Sequence, residues 1–206
     1  MSHMTTPPGL AARLRSLHAA GQCRPAPPPH ADSRITPGMA FKPASVLVAF
    51  TDRPRPGLLF IQRPETMRAH PGQIAFPGGR AEPGESAVAA ALRESHEELG
   101  IAPEAVEVIG TGDLYHTGSG YAITPVLAVV PAGLALVPNA HEVADWFEAP
   151  ADYVLAPANQ HLRRVRWQGA PHQYIEILWQ ERRIWGVTGA ILANLAQRLQ
   201  WPTDHG

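Results

Sequence analysis

The sequence is almost without cysteine: Cys23 is the only one in 206 residues. An intramolecular disulfide needs two thiols and a thiolate metal cluster needs several, so both are excluded. A chain without disulfides is suited to a reducing compartment, and we expect a cytoplasmic setting.

The sequence also has little net charge and no long apolar run. Its 17 Lys and Arg nearly balance its 18 Asp and Glu, which leaves a formal net charge of -1. A broad basic surface for nucleic acid or anionic lipid is therefore not expected. The most apolar stretch, residues 123–138, is too short for a membrane-spanning helix and contains three prolines. We expect neither nucleic acid nor a membrane among the partners.

Apolar residues make up 45% of the chain, which is enough to build the core of one domain. Residues 1–3 are set aside as a remnant of recombinant expression. Leucines at helical spacing predict a helix at residues 9–19, and a proline-rich stretch follows at residues 24–43. We therefore expect an N-terminal helix and arm, residues 1–43, packed on a domain that comprises residues 44–206.

Strand and helix patterns alternate through the rest of the chain. Strands are predicted at residues 45–50, 58–62, 106–114, 121–130, 143–147, 162–167 and 173–179. Helices are predicted at residues 86–99 and 187–199, with a short helical turn at 152–155. This order indicates an α/β domain with a mixed sheet.

Three carboxylates gather on the helix predicted at residues 86–99. Glu94, Glu97 and Glu98 are three and four residues apart, so they share one side of the helix, opposite an apolar stripe. Hard divalent cations such as Mg²⁺ prefer oxygen ligands of this kind and can activate a water for attack on a diphosphate. Taken alone, however, an acidic run is more often a solvated helix face.

The residues around these carboxylates favour the metal-site interpretation. The stretch GRAEPGESAVAAALRESHEELGI, residues 79–101, has a glycine, a glutamate, an Arg-Glu pair, a Glu-Glu pair and a glycine at fixed intervals. This stretch resembles the Nudix box, and the resemblance implies a Nudix-type α/β/α sandwich. One departure is Ser95, which stands where the family generally has an apolar residue. We expect its hydroxyl to bond back to the Ala91 carbonyl.

The resemblance also implies a role for each residue of the box. Glu94, Glu97 and Glu98 would bind Mg²⁺ or Mn²⁺ and carry the water chemistry, with Glu94 and Glu98 as principal ligands and Glu97 as a ligand or the general base. The remaining box positions would be structural: Glu85 and Arg93 as an ion pair, Gly79 at the start of the loop and Gly100 at the end of the helix.

A second motif lies upstream of the box, in residues 58–79. It has Arg63, Arg68, Gly72 and the run Phe76 to Gly79 in fixed order, and resembles the signature of the coenzyme A diphosphatase subgroup of Nudix enzymes. Pro64 and Phe60 depart from that signature. The likeness extends over most of residues 44–200. It implies substrate contacts from Arg63, Arg68, Gly78 and Gly79, although the arginines could instead pair with carboxylates such as Glu65.

The expected activity is metal-dependent hydrolysis of coenzyme A or its acyl derivatives. Alternatives are ADP-ribose, a dinucleotide polyphosphate or a nucleoside triphosphate as substrate, or a non-catalytic module that senses a nucleotide. Glu142 is a further candidate ligand or base, and His70 is expected to be a hydrogen-bonded loop residue. Trp146, Trp179 and Trp185 are assigned to packing rather than to base stacking. Family likeness also allows a homodimer.

Overall fold

The computed structural model describes residues 9–27, 32, 34–66, 71–167 and 170–202. Its helices are α1 Leu10–Gln22, α2 Ala87–Leu99, α3 Ala151–Val154 and α4 Val187–Leu199. Its strands are β1 Lys42–Asp52, β2 Gly57–Gln62, β3 Ile74–Ala75, β4 Gly78–Arg80, β5 Glu107–Thr111, β6 Tyr115–His116, β7 Tyr121–Pro131, β8 Asp145–Pro150, β9 His161–Trp167, β10 Ala170–Trp179 and β11 Arg182–Trp185.

The larger sheet is mixed. Strands β1 and β7 run parallel along their whole length, from the pair Lys42 and Tyr121 to the pair Asp52 and Pro131. Every other pairing recorded in this sheet is antiparallel: β2 with β1, β3 and β8, β4 with β1, and both β5 and β6 with β7. The predicted α/β class with a mixed sheet is confirmed.

The two faces of this sheet are covered by different helices, because neighbouring side chains of a strand point to opposite faces. Leu47 and Ala49 of β1 pack with Ala91 and Leu99 of α2. On the other face, Val48 and Phe50 of β1 belong to a core that also includes Leu14 of α1 and Ile191 and Leu192 of α4. The result is a sheet between two helical layers.

A smaller antiparallel sheet, in the order β11-β10-β9, packs against α4. Its apolar residues Ile175, Ile177 and Ile184 are buried in the same core as Leu192 of α4. Both sheets therefore contribute to one continuous apolar core beside α4.

The long elements predicted from the sequence agree with the structure, and so does the short helical turn predicted at residues 152–155, which is α3 Ala151–Val154. Helices α2 and α4 match the predicted residues 86–99 and 187–199 to within one residue. The strand predicted at 143–147 begins two residues later, in β8, and the one predicted at 106–114 ends with β5 at Thr111. Strands β3, β4, β6 and β11 had no prediction. Strand β1 begins at Lys42, inside the predicted arm; the division of the chain at residue 43 otherwise stays a prediction.

Among the helices in the described part of the chain, none combines the length and the apolar character that a membrane span requires.

Candidate active site

The site is built where the short strand β4 lies against the start of β1. Gly78 has φ 151°, and a Cβ at this residue would collide with the carbonyl oxygen of Ser45 on β1. Gly79 is equally confined on its other side, because a Cβ there would collide with the carboxylate of Glu94. The two glycines thus let the backbone approach both β1 and the helix that carries the glutamates.

Helix α2 has a defined start and end. The hydroxyl of Ser86 accepts a hydrogen bond from the backbone N–H of Ala89 at 3.1 Å, which caps the first turn. Gly100 follows the last turn with φ 70°, and its N–H donates to the carbonyl of His96 at 2.8 Å. This left-handed geometry is one that glycine adopts without steric cost. Both ends of the helix are therefore fixed relative to the loops that flank it.

Glu98 is the most enclosed carboxylate of the site, with 2% of the residue exposed. Its Oε2 accepts a hydrogen bond from the backbone N–H of Gly78 at 2.8 Å. Burial raises the pKa of Glu98 to about 8; the nearby carboxylates of Glu94 and Glu142 add to this rise, and the Gly78 hydrogen bond and Arg63 oppose it. The helical pattern predicted that Glu98 would lie on the polar side, whereas the structure buries it.

Glu94 shares this environment in a milder form. Burial is the main cause that raises the pKa of its carboxyl, and the charges of Glu97 and Glu142 act in the same direction. The guanidinium of Arg93 opposes the rise through a hydrogen bond to Oε1 at 2.9 Å. The charge of Glu142 therefore acts on both Glu94 and Glu98, and the charge of Glu94 acts on Glu98 as well.

Arg93 connects the loop to the helix and to two of the glutamates. Its Nε and Nη2 donate to the two carboxylate oxygens of Glu85, each at 3.0 Å, and Nη2 also donates to the carbonyl of Arg80 at 3.0 Å. Its Nη1 donates to Glu94 at 2.9 Å and to Glu97 at 3.1 Å. The hydrogen bonds to Arg93 also lower the pKa of Glu85. Glu97 is otherwise open, because 49% of its side chain is exposed.

Glu142 reaches the site from a separate part of the chain. The segment before it crosses the end of α2, where the N–H groups of Val137 and Asn139 donate to the carbonyls of Leu99 and Glu98 at 2.8 Å and 2.9 Å. A turn at Asn139 follows, in which the N–H of Glu142 donates to the Asn139 carbonyl at 2.9 Å. This turn places Glu142 near Glu94 and Glu98.

Arg63 lies beside the buried glutamate, where its charge lowers the pKa of Glu98. Its Nε is buried and has no hydrogen-bond partner among the described residues. Within the same residues, none of the ion pairs joins Arg63 to Glu65. Arg68 and His70, which the sequence also singled out, lie outside the described residues.

One detail of the predicted box differs in the structure. Ser95 is fully buried in the stripe that faces the sheet, but its hydroxyl donates to the carbonyl of Leu92 at 3.0 Å rather than to that of Ala91. Both acceptors lie in the preceding turn of the helix, so a serine can replace an apolar residue at this place without an unpaired hydroxyl.

Sequence reasoning overlooked Ser45 and Asn139. The hydroxyl of Ser45 is buried without a partner among the described residues, on the strand next to Gly79. A serine inside an apolar run was the available signal. Asn139 forms the turn that carries Glu142, and its place directly after Pro138 was the corresponding signal.

The donor set suits a hard divalent cation, although its oxygens are not gathered around one point. In the described part of the chain, no three His, Cys, Asp or Glu side chains converge closely enough to hold a metal ion. Arg93 draws Glu94 and Glu97 towards itself, while Gly78 binds Glu98. The residues nevertheless fit a cation, because buried carboxylates that disfavour one another's charge gain stability from a positive ion between them.

A sheet between two helical layers, with a glutamate-rich helix under a glycine loop, is the architecture of a Nudix hydrolase. The family model for the NUDIX domain matches residues 41–172. The chain therefore belongs to the NUDIX domain family. It is an enzyme of the class that hydrolyses nucleoside diphosphates linked to another moiety, and such enzymes generally use divalent metal ions.

Curated relatives agree with this assignment. The chain is 39% identical to an uncharacterised Nudix hydrolase, NudL, from Photorhabdus laumondii over 158 residues, which cover 76% of this chain and 84% of the relative. It is 38% identical to the protein of the same name from Yersinia pestis, with 76% and 79% covered. Among solved structures, the Nudix hydrolase RenU from M. smegmatis matches with a TM-score of 0.49 and 24% identity, over 58% of this chain and 83% of that one.

Proposed function

We propose that this Nudix hydrolase is a coenzyme A diphosphatase. Water would add across the phosphoric anhydride of coenzyme A, and the P–O–P bond would break. The products would be adenosine 3',5'-bisphosphate and 4'-phosphopantetheine, or its acyl form when acyl coenzyme A is the substrate. The single cysteine is consistent with action in a reducing cytoplasm.

The observation that carries this proposal is Arg63. It begins the upstream motif that resembles the coenzyme A diphosphatase signature, and its buried Nε has no partner among the described residues. A guanidinium keeps its charge near neutral pH and binds phosphate oxygens in pairs. Because Arg63 lies beside Glu98, a diphosphate that contacts Arg63 would also lie next to the glutamates.

The glutamates would divide the remaining work between them. Glu94 and Glu98 would be the principal ligands of Mg²⁺ or Mn²⁺, and Glu142 a further ligand or base. Glu97, which is half exposed and held by Arg93, would be a ligand or the group that accepts the proton of the attacking water. When bound, the cation neutralises the charge of the diphosphate and acidifies water.

Backbone groups would orient the phosphates as well. Gly78 and Gly79 would allow close approach of the phosphates because neither carries a Cβ, while the N–H of Gly78 holds Glu98 beside them. The side chain of Arg68 is assigned to a second phosphate contact on the strength of the motif alone. A homodimer is part of the same proposal, and light scattering of the purified protein would test it.

The substrate is tested by direct competition among the candidates. Purified enzyme is incubated with coenzyme A, ADP-ribose, a dinucleotide polyphosphate and a nucleoside triphosphate, each with Mg²⁺ or Mn²⁺, and the products are identified by mass spectrometry. We expect coenzyme A to have the highest kcat/KM. Much faster turnover of ADP-ribose would contradict the proposal, and binding without turnover in saturating metal would indicate a nucleotide sensor.

Variants of the box identify the chemistry in the same assay. Glu97→Gln is expected to lower kcat by roughly 10² to 10⁴, the range for loss of a general base. Glu104→Gln, an exposed glutamate on the 3-10 turn after α2, is the matched control and should retain full activity. Normal activity in a folded Glu97→Gln enzyme would remove Glu97 from this role.

A further inference from the structure

A cavity separate from the active site lies on the side of the large sheet that faces α4. It encloses about 410 Å³ between β6, β10, β11 and the start of α4, and none of the box glutamates lines it. This volume falls within the range of small-molecule sites. We call it the aromatic pocket, and the lining residues that matter here are Arg34, Gln73, Tyr115, Tyr174, Arg183 and Trp185.

One wall of the aromatic pocket is an arginine held between two rings. The guanidinium carbon of Arg183 lies 4.7 Å from the ring centre of Trp185 and 5.6 Å from that of Tyr174. Its Nη2 donates to the Tyr174 hydroxyl at 2.7 Å, and its Nε donates to Glu176, which is buried. Arg183 is thereby fixed in place, yet 46% of its side chain remains exposed. The wall offers ring surface and a fixed positive charge together.

A second arginine lies on the wall of the same cavity. Arg34 binds the carboxylate of Asp32 through Nε at 2.8 Å and Nη2 at 2.6 Å, and Asp32 also accepts a bond from the N–H of Gly118 at 2.7 Å. Burial works against ionisation of Asp32, but these hydrogen bonds outweigh it and lower its pKa to about 2. The carboxylate therefore keeps Arg34 in position, and 46% of the Arg34 side chain remains exposed.

The first turn of α4 also opens onto the pocket. Gly186 and Val187 are lining residues, and Gly186, at the N-cap, has no side chain to bond the free N–H groups of the helix. The nearby hydroxyl of Thr188 donates to the carbonyl of Ile74 instead. A helix N-terminus favours negative charge. Together with Arg34 and Arg183, it makes this cavity suited to an anion.

The aromatic pocket is connected to the active site through the hairpin of β2 and β3. Gln73 lines the pocket, and its carbonyl accepts a hydrogen bond from the N–H of Arg63 at 3.0 Å.

Sheet pairing gives the distance between the aromatic pocket and the glycines of β4. Ala44 of β1 pairs with Arg80 of β4 and with Ile123 of β7, and Ile123 pairs with Tyr115. Tyr115 is thus three strand spacings, about 14 Å, from the strand that carries Gly78 and Gly79. A nucleotide with its diphosphate beside Gly78 and Gly79 can span such a distance.

We propose that the aromatic pocket binds the nucleoside end of the substrate, a purine whose ribose carries a further phosphate. The base stacks against Trp185 and Tyr174, and the ribose phosphate lies between Arg34 and Arg183. Rings of this kind bind a base through its flat face, and guanidinium groups bind phosphate oxygens. The proposal rests on the proposed function, because coenzyme A has such a phosphate and ADP-ribose does not.

Calorimetric binding of two nucleotides tests the pocket without relying on turnover. The ligands are adenosine 3',5'-bisphosphate and adenosine 5'-monophosphate, which differ by the phosphate assigned to the arginines. We expect Arg34→Gln and Arg183→Gln to weaken the bisphosphate at least tenfold and the monophosphate less than threefold. The matched control Arg164→Gln, an exposed arginine on β9 outside the pocket, should leave both affinities unchanged.

The stacking surface is tested with two substitutions of one ring. Trp185→Leu is expected to weaken both nucleotides at least fivefold, whereas Trp185→Phe, which keeps an aromatic face, should restore most of the affinity. Circular dichroism and thermal unfolding show whether each variant is folded. Unchanged affinities in folded variants of Arg34, Arg183 and Trp185 would overturn the pocket proposal.

The same variants separate this inference from the proposed function. If the wild-type enzyme hydrolyses coenzyme A and folded pocket variants keep its KM, the pocket proposal fails and the proposed function stands. If coenzyme A is not hydrolysed but bisphosphate binding depends on Arg34 and Arg183, the pocket proposal stands and the assigned substrate is wrong. Failure of wild-type protein to bind either nucleotide would overturn the pocket proposal directly.

Discussion

A buried carboxylate normally costs free energy unless a cation or several hydrogen bonds compensate its charge. Glu98 has one hydrogen bond from Gly78 and some help from Arg63, while two neighbouring glutamates oppose its ionisation. The metal-free protein therefore favours the protonated form of Glu98. In a metal-binding enzyme, a bound cation would stabilise the ionised carboxylate, so metal binding would add to the free energy of unfolding.

This environment predicts how stability depends on pH in the absence of metal. The pKa of Glu98 rises from its ordinary value of 4.5 to about 8 in the folded protein. Between these values the folded state holds a proton that the unfolded state has released, so the free energy of unfolding falls as pH rises from about 5 to 8. Urea unfolding in EDTA at several pH values measures this slope.

The matched variant for this prediction is Glu98→Gln. Its side-chain oxygen can still accept the Gly78 hydrogen bond, but it carries no titrating proton, so its stability should depend less steeply on pH over the same window. Saturating Mg²⁺ should raise the stability of the wild-type protein and leave that of the variant nearly unchanged. Parallel pH slopes for the two proteins in EDTA would contradict the prediction.

At the scale of elements, helix α2 could be predicted because its signals are local. Pro83 and Gly84 precede it, Ser86 caps it and Gly100 ends it, and each acts on the residues next to it. Strand β4 could not be predicted in this way. Its two glycines are poor strand formers. They are needed there because a Cβ at either position would collide with Ser45 or Glu94, a requirement that only the folded structure reveals.

The burial of Glu98 has a similar cause. A helical pattern assigns a side chain to the polar or apolar side of a helix. It gives no information about distant loops that pack over that helix. Here β4 approaches the side chain of Glu98, and the segment before Asn139 bonds its carbonyl. That the glutamates share one helix could therefore be predicted from sequence, whereas the enclosure of Glu98 depends on contacts with residues 20 and 41 positions away.

Arg93 shows how the loop and α2 act as one element. Its guanidinium binds both oxygens of Glu85 and the Arg80 carbonyl, and a lysine has only one nitrogen to replace these contacts. Arg93→Lys should therefore loosen the loop, lower the melting temperature and reduce kcat/KM by roughly ten- to a hundredfold. Thermal unfolding and the substrate assay measure the two effects.

The control for this change is Arg15→Lys, in a pair with Glu107 where about half of each side chain is exposed. Exposed pairs contribute little to stability, so this variant should resemble the wild type in both measurements. If Arg93→Lys also resembled the wild type, the five hydrogen bonds of Arg93 would not be what holds the loop in place.

At the scale of the whole molecule, the question is whether the N-terminal helix belongs to the catalytic domain. Leu10 and Leu14 of α1 are buried in the core that α4 and the large sheet share. Arg198 of α4 donates to the carbonyl of Gly21 in the last turn of α1 at 2.8 Å, and to that of Arg24 beyond the helix at 2.7 Å. These contacts join the predicted arm to the helical layer opposite α2, so α1 should unfold together with the rest of the protein.

A substitution that creates a cavity beside α1 tests whether the helix and the rest of the protein unfold cooperatively. Leu14 is fully buried, so Leu14→Ala should lower the free energy of unfolding by about 2 to 5 kcal/mol, the usual cost of such a truncation in a core. Ser16→Ala, on the exposed side of the same helix, should change it by less than about 0.5 kcal/mol. Because α1 packs on the core of the large sheet, urea unfolding of Leu14→Ala should remain a single transition that tryptophan fluorescence and circular dichroism report at the same midpoint. An early separate transition, with the main one unmoved, would mean that the arm folds apart from the catalytic domain.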